Sequence, residues 1–114
     1  MDDASDLLAE HVARFNAGVR SGDWSAMLSG FADDAELVFE GVPAGPFSGR
    51  EAIAEAYATR PPDDEIDVLE TRAADGTVVA VYAWRRDSPR PAGRMTLTHR
   101  GRLIARLVVT FDGG

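Results

Sequence analysis

The sequence predicts an α+β domain, with helices in its first half and an antiparallel sheet in most of its second half. Apolar residues recur at helical spacing over residues 4–20. Beyond residue 64, four segments rich in β-branched residues are separated by turn signals. No helical pattern lies between those four segments, so crossover helices between parallel strands are not expected there. The order of elements therefore favours α+β over alternating α/β.

The predicted helices are bounded by recognisable end signals. Ser21-Gly22-Asp23 stops the first helix and offers a cap to the second. Ala32-Asp33-Asp34 is predicted as a turn, because acid side chains can bond local backbone. The predicted helices run over residues 4–20, from Trp24 to about Phe31, and from Ser48 to the Pro61-Pro62 pair.

The predicted strands alternate between two faces of a sheet. They cover residues 35–40, 65–72, 77–86, 94–100 and 102–111, and Asp75-Gly76 is a strong hairpin signal. Strand 77–86 is apolar on both faces, so both faces must be covered. This pattern favours a homodimer formed through the sheet. The alternative is that the chain covers the second face itself.

Composition narrows the class of protein. A chain of 114 residues has the length of one domain, predicted as 1–114, and 45% hydrophobic with 27% charged residues is typical of globular proteins. The absence of cysteine excludes disulfides and thiolate metal sites. A net charge of −7 argues against a nucleic-acid partner. The acidic N-terminus does not resemble a signal peptide and no segment has membrane-spanning length, so we expect a cytoplasmic protein without a membrane partner.

The charge is distributed unevenly along the chain. Residues 1–75 hold 17 acids and 5 arginines, whereas residues 76–114 hold 2 acids and 7 arginines. One explanation is that arginine stems cover apolar strand surface while the acids solvate the helices. The other is that the two halves attract one another, or an acidic partner.

Three segments resemble the nuclear transport factor 2-like superfamily, and in particular its SnoaL-like members. They are Gly22-Asp23-Trp24 leading into Phe31–Ala35, the stretch Gly49–Tyr57, and the closing stretch Gly101–Asp112. The resemblance implies a cone, a cystatin-like α+β barrel in which a curved antiparallel sheet wraps three N-terminal-half helices around an apolar cavity. The superfamily includes isomerases, cyclases, hydrolases and non-catalytic domains, so the fold does not name a reaction.

The ketosteroid isomerase members of that superfamily use an Asp base together with Tyr and protonated Asp donors. The resemblance places Phe15 at the Tyr position and Met95 near the Asp position, and neither side chain can donate. The usual isomerase chemistry is therefore not expected. The base position falls on Phe39, or on Glu40 if one extra residue precedes the loop. Glu40 is then either a catalytic carboxylate or a solvated acid at the end of a strand.

Two histidines complete the set of candidate groups. His99 could shuttle protons if it faces the cavity, and His11 either lines the cavity or belongs to the core. The predicted catalytic residues are therefore Glu40 and His99. Two distant histidines without a carboxylate at ligand spacing make a poor metal site, so neither metal nor cofactor is expected. The predicted ligand-binding residues are His11, Phe15, Trp24, Phe31, Phe39, Tyr57, Tyr82, Trp84, Met95 and Leu97.

Two functions follow from these candidates. The first is a protein that binds a small hydrophobic molecule in its cavity, including an isomerase-, cyclase- or hydrolase-type enzyme with a single carboxylate base. The second is a non-catalytic dimerisation or binding domain whose cavity is filled by its own side chains. Phe15, Phe39 and Met95 favour the second function, because each places bulk where a polar group would otherwise stand.

Overall fold

Six strands form one curved, open sheet, and three helices lie against one of its faces. The computed structural model describes residues 3–41 and 45–111. The elements are α1 (Asp3–Ser21), α2 (Ser25–Ser29), β1 (Phe31–Glu40), β2 (Phe47–Ser48), α3 (Arg50–Thr59), β3 (Ile66–Ala74), β4 (Thr77–Trp84), β5 (Gly93–Arg100) and β6 (Leu103–Phe111). The predicted α+β class with a curved sheet is confirmed.

The strand order across the sheet is β2-β1-β6-β5-β4-β3. Strands β3 to β6 are antiparallel neighbours, as predicted, but β1 and β6 run parallel. The sheet is therefore mixed. A parallel pair needs a long connection, and everything from β2 to β5 lies between these two strands. Strands β2 and β3 form the two edges, and the sheet does not close into a barrel.

Strand β1 begins earlier than the sequence predicts. The expected turn at residues 32–34 lies within the strand, and α2 ends at Ser29. Phe31 is fully buried and pairs with Ile104, after which the register shifts before Glu36. The guanidinium of Arg50 donates to the Phe31 carbonyl. Burial of Phe31 and this side-chain partner hold the segment extended, so its acids do not form the expected turn.

Helix α3 is preceded by a two-residue strand that was not predicted. Strand β2 pairs with the middle of β1, and α3 begins at Arg50 rather than at Ser48. Gly49 has a φ of 93°, a conformation that residues with a side chain rarely adopt. The glycine thus allows the chain to turn from the sheet edge directly into the helix.

The core lies between the helices and the inner face of the sheet. Helix α1 contacts β3, β4 and β5, and α3 contacts β1 and β2. Val78, Ala80 and Tyr82 of β4 are buried against the helices. Val79 and Val81, on the opposite face of β4, stay half-buried.

The uneven charge of the chain has a structural counterpart. Four arginines from residues 76–114 pair with acids from residues 1–75: Arg85 with Glu65 and Asp67, Arg86 with Asp63 and Asp64, Arg100 with Asp34, and Arg106 with Glu36. These pairs agree with mutual attraction between the two halves. Because the arginines are about half exposed, solvent screens these pairs, and each is expected to contribute little to stability.

A buried amide connects α1 to the edge strand β3. The Asn16 Oδ1 accepts a hydrogen bond from the Ile66 amide at 2.8 Å, and its Nδ2 donates to the Ile66 carbonyl at 3.0 Å. Asn16 is only 8% exposed. An edge strand leaves backbone groups unpaired, and this side chain satisfies both groups of one residue.

We expect Asn16→Ala to lower the free energy of unfolding by about 2–4 kcal/mol, because it leaves the buried amide and carbonyl of Ile66 without partners. Urea unfolding followed by circular dichroism measures the change. Glu10→Ala, an exposed substitution on the same helix, serves as control and should change stability by less than about 0.5 kcal/mol. Equal effects of both substitutions would contradict the role of Asn16.

Candidate ligand-binding cavity

The space between α1, α3 and the inner face of the sheet is hollow. Its volume is about 730 Å³, within the range of roughly 300–1,000 Å³ common for small-molecule sites. It is therefore not filled by the protein's own side chains. The lining residues are His11, Phe15, Phe39, Phe47, Ala52, Glu55, Ala56, Tyr57, Thr59, Arg60, Pro62, Ile66, Tyr82, Trp84, Met95, Leu107, Val109 and Phe111.

The lining divides into a buried floor and a more exposed mouth. We call the buried residues the floor: His11, Phe15, Tyr57, Ile66, Tyr82, Met95, Leu107 and Val109. We call the half-buried and exposed residues the mouth: Phe39, Phe47, Ala52, Glu55, Ala56, Thr59, Arg60, Pro62, Trp84 and Phe111. The charged side chains of the lining, Glu55 and Arg60, both belong to the mouth.

Aromatic side chains support the floor from behind. Trp24 lies 5.0 Å from Tyr57 and 5.8 Å from Phe15, measured between ring centroids. A Cβ atom on Gly18 would lie 2.4 Å from a ring carbon of Trp24. The glycine therefore lets the indole pack against α1, and the indole in turn fixes the two rings that face the cavity.

Three phenylalanines form an aromatic group at the mouth. The Phe39 ring lies 6.1 Å from the rings of both Phe47 and Phe111, edge-on to the first and stacked with the second. Phe111 faces inward because it shares the alternation of Leu107 and Val109 on β6. Edge-on and offset ring pairs are favourable arrangements of aromatic side chains.

His11 is a buried, polar residue of the floor. It is 4% exposed, its ring lies edge-on to Phe31, and its Nδ1 has no hydrogen-bond partner among the described residues. Burial, assisted by the positive charge of Arg14, lowers the pKa of His11 from 6.5 to about 4. The imidazole is therefore neutral at pH 7. Burial also raises the pKa of Tyr57, so its hydroxyl keeps its proton.

Seven of the ten predicted ligand-binding residues line the cavity. They are His11, Phe15, Phe39, Tyr57, Tyr82, Trp84 and Met95. Trp24, Phe31 and Leu97 do not, because they are buried behind the lining, with Trp24 against Tyr57 and Phe31 against His11. Binding by the seven stays a prediction.

The predicted catalytic residues lie outside the lining. Phe39, not Glu40, takes the inward position at the end of β1, and Glu40 is exposed on the outer face. His99 lies at the far end of β5, where its Nδ1 is 2.9 Å from the Gly101 carbonyl oxygen. The cavity geometry thus gives no support to catalysis by this pair, because strand alternation and distance separate them from the hollow.

Several lining residues were not predicted. Phe111, Leu107 and Val109 could have been found from their alternation on β6, and Ile66 from its position at the start of a strand. Glu55, Thr59 and Arg60 belong to the exposed end of α3. Their proximity to the cavity depends on how α3 packs, for which the sequence holds no local signal.

A curved sheet, a long first helix and a cavity open at one end together define a class of domain, and comparison with known proteins identifies that class. The SnoaL-like domain model matches residues 12–113. The chain therefore belongs to the SnoaL-like family of the nuclear transport factor 2-like superfamily. No curated protein matches the chain in sequence.

Solved structures of low sequence identity share the fold. A protein from Sphaerobacter thermophilus is 24% identical with a TM-score of 0.76, and the alignment covers 100% of both chains. A proposed ketosteroid isomerase from Kribbella flavida is 14% identical with a TM-score of 0.79, covering 98% of this chain and 79% of that one. A proposed polyketide cyclase from Sinorhizobium meliloti is 22% identical with a TM-score of 0.63, covering 87% and 92%.

The buried His11 makes folding stability depend on pH. Because its folded pKa of about 4 lies below the unfolded 6.5, the unfolded chain binds the proton more readily between these values. The full contribution is present above pH 6.5 and is lost as pH falls toward 4, by up to about 3 kcal/mol. We expect His11→Phe to remove this part of the pH dependence. Urea unfolding of both proteins at several pH values measures it, and parallel stability profiles would contradict the assignment.

Proposed function

We propose that this SnoaL-like domain binds a small hydrophobic molecule in its cavity. The observation that carries the proposal is the hollow of about 730 Å³ whose floor is formed mainly by apolar and aromatic side chains. Displacing water from apolar surface is favourable by roughly 25 cal/mol per Å², so an apolar ligand would gain free energy there.

The floor favours binding over chemistry based on a carboxylate. No Asp or Glu lies among the buried lining residues of the part of the chain that the structure describes. Among the described residues that line the cavity, Glu55 carries the one carboxylate, and it is exposed at the mouth. Nor does any group of three His, Cys, Asp or Glu residues within 3–41 and 45–111 form a candidate metal site. A ligand-binding role therefore fits the geometry better than an enzyme with Glu40 as base.

A thermal-shift screen with steroids, polyketide-like aromatics and terpenoid epoxides tests the binding proposal. A ligand at 100 times its Kd should stabilise the fold by about 2.7 kcal/mol, which corresponds to a shift on the order of 10 °C. Ala56→Trp places an indole in the mouth and should abolish the shift. Ala58→Trp, on the same helix but outside the lining, should preserve it. If no class of compound shifts the melting temperature, the proposal fails.

We further propose that two copies pair through the outer face of the sheet. Val38, Val108, Thr96 and Val79 stand side by side across four strands on the face away from the helices. All four are half-buried in the single chain. Such a row is complementary to itself, which suits an interface in which both copies use the same patch. Exposed Arg94 and the Glu36–Arg106 pair flank the row and would form a polar rim.

Val108→Arg tests the dimer, because it places an unpaired charge at the centre of the proposed interface. Light scattering after size-exclusion chromatography should give twice the chain mass for the wild type and one chain mass for the variant. Glu51→Arg, an exposed change on α3, should remain dimeric. A wild-type protein that is monomeric at about 100 μM would contradict the proposal.

None of the described helices combines the length and apolarity needed to cross a membrane. Cytoplasmic residence, and the lack of nucleic-acid and membrane partners, remain proposals. They rest on the acidic net charge of −7 and on the composition of the chain.

A further inference from the structure

The floor of the cavity contains three side chains that can form hydrogen bonds through a ring nitrogen or a phenol. They are His11, Tyr57 and Tyr82, and the other floor residues are apolar. The Tyr82 hydroxyl donates to the Thr110 carbonyl at 3.4 Å. The groups left to meet a ligand are the His11 imidazole and the Tyr57 hydroxyl.

His11 lines the cavity and also borders a much smaller recess next to Met27 and Ile104. Its Nδ1 is enclosed and has no partner within residues 3–41 and 45–111. A buried donor without an acceptor is rarer than a buried acceptor without a donor, so the proton of the neutral ring belongs on Nε2. The ring lines the cavity, and its other nitrogen is enclosed, so Nε2–H is the group that His11 can offer to a ligand.

The Tyr57 hydroxyl offers a second donor. Tyr57 is 7% exposed, and its hydroxyl makes no hydrogen bond within the part of the chain that the structure describes. Its ring is held by Trp24 and by Phe15, the residue one helical turn after His11. The His11 and Tyr57 side chains, the two potential donors, therefore both lie next to Phe15. Among the described residues, the His11 Nδ1 is the one fully enclosed polar side-chain atom without a partner, so the Tyr57 hydroxyl is accessible rather than enclosed, and it lies in a residue that lines the cavity.

We propose that His11 and Tyr57 form a donor pair that binds an uncharged oxygen at the inner end of an otherwise apolar ligand. The inference rests on the proposed ligand-binding function and adds the chemical class of the ligand. A carboxylate is excluded from the floor because the described floor holds no cation, and an unpaired charge there is strongly disfavoured. The apolar body of the ligand would extend toward Phe39, Phe47 and Phe111 at the mouth.

This donor pair replaces the donors that the resemblance to ketosteroid isomerases suggested. Phe15 and Met95 do line the cavity, and neither can donate a hydrogen bond. The structure brings two different groups to the floor, from α1 and from α3. A carbonyl oxygen fits them best, because it accepts two hydrogen bonds and donates none.

A matched pair of probes tests the proposal. The first is the fluorescent ketone propionyl-dimethylaminonaphthalene, whose emission moves to longer wavelength when its carbonyl accepts a hydrogen bond. The second is its propyl analogue, in which a methylene group replaces the carbonyl. We expect the wild type to bind the ketone about tenfold more tightly than the analogue, after correction for their partition between water and octanol.

Variants of the protein then distinguish the effect of losing a hydrogen-bond donor from the effect of changing the shape of the cavity. His11→Phe and Tyr57→Phe should each reduce the preference for the ketone several-fold, shift the emission of the bound ketone to shorter wavelength, and leave affinity for the analogue within about twofold. His11→Gln keeps a side-chain donor and should restore part of the preference. Met95→Leu changes the floor without touching a donor and should retain the full preference.

Two results would overturn the inference. If the wild type binds ketone and analogue equally, the cavity binds ligands but has no donor pair, and only this inference fails. If the ketone preference survives in the double variant His11→Phe/Tyr57→Phe, the donors lie elsewhere. Failure of the wild type to bind either probe refutes the ligand-binding function itself, and the donor pair with it.

Discussion

The paired hydrogen bonds between Asn16 and the backbone of Ile66 set the spacing on which the cavity depends. They hold the edge of the sheet against α1 at the point where β3 begins. Ile66 itself lines the cavity, so the same contact fixes one of its walls. The neighbouring Glu65 binds Arg20 of α1 and Arg85 beyond β4, which reinforces the corner from the solvent side. A hydrophobic contact alone is not directional and would let the edge strand move inward.

The hollow persists because the side chains around it are supported by others. The floor rings pack against Trp24, and the mouth rings pack against each other. Rings held in this way cannot rotate into the empty space without losing contacts that they already make. The interior therefore separates into a solid part beneath α1 and an open part between α1 and α3. Polar groups without protein partners, such as the His11 imidazole, lie at the boundary between the two parts.

The sequence was sufficient to predict most elements and the class of fold. The alternation of side chains along β4 and the helical spacing of apolar residues along α1 can be read from the sequence. These patterns correctly predicted that Tyr82 and Phe15 line the cavity. The parallel pairing of β1 with β6 could not be predicted from local pattern, because it joins residues about seventy positions apart. The inward position of Phe39 could not be settled either. It depends on the register of β1 beyond Phe31, which tertiary contacts with β6 and Arg50 determine. Tyr57 was predicted as part of the aromatic wall of the cavity, whereas the donor role that we propose for it emerged only from the hydrogen bonds of the floor.

The place of β6 in the sheet has a consequence for how the molecule is built. The last strand of the sequence lies in the interior of the sheet, between β1 and β5. During synthesis, β1 and β2 have no partner strand to join them to β3, β4 and β5 until this segment leaves the ribosome. Until then the early helices cover only fragments of a sheet, and Phe39 has no Phe111 to stack against. The complete pocket can therefore form only after β6 has been synthesised, later than the helices that line it.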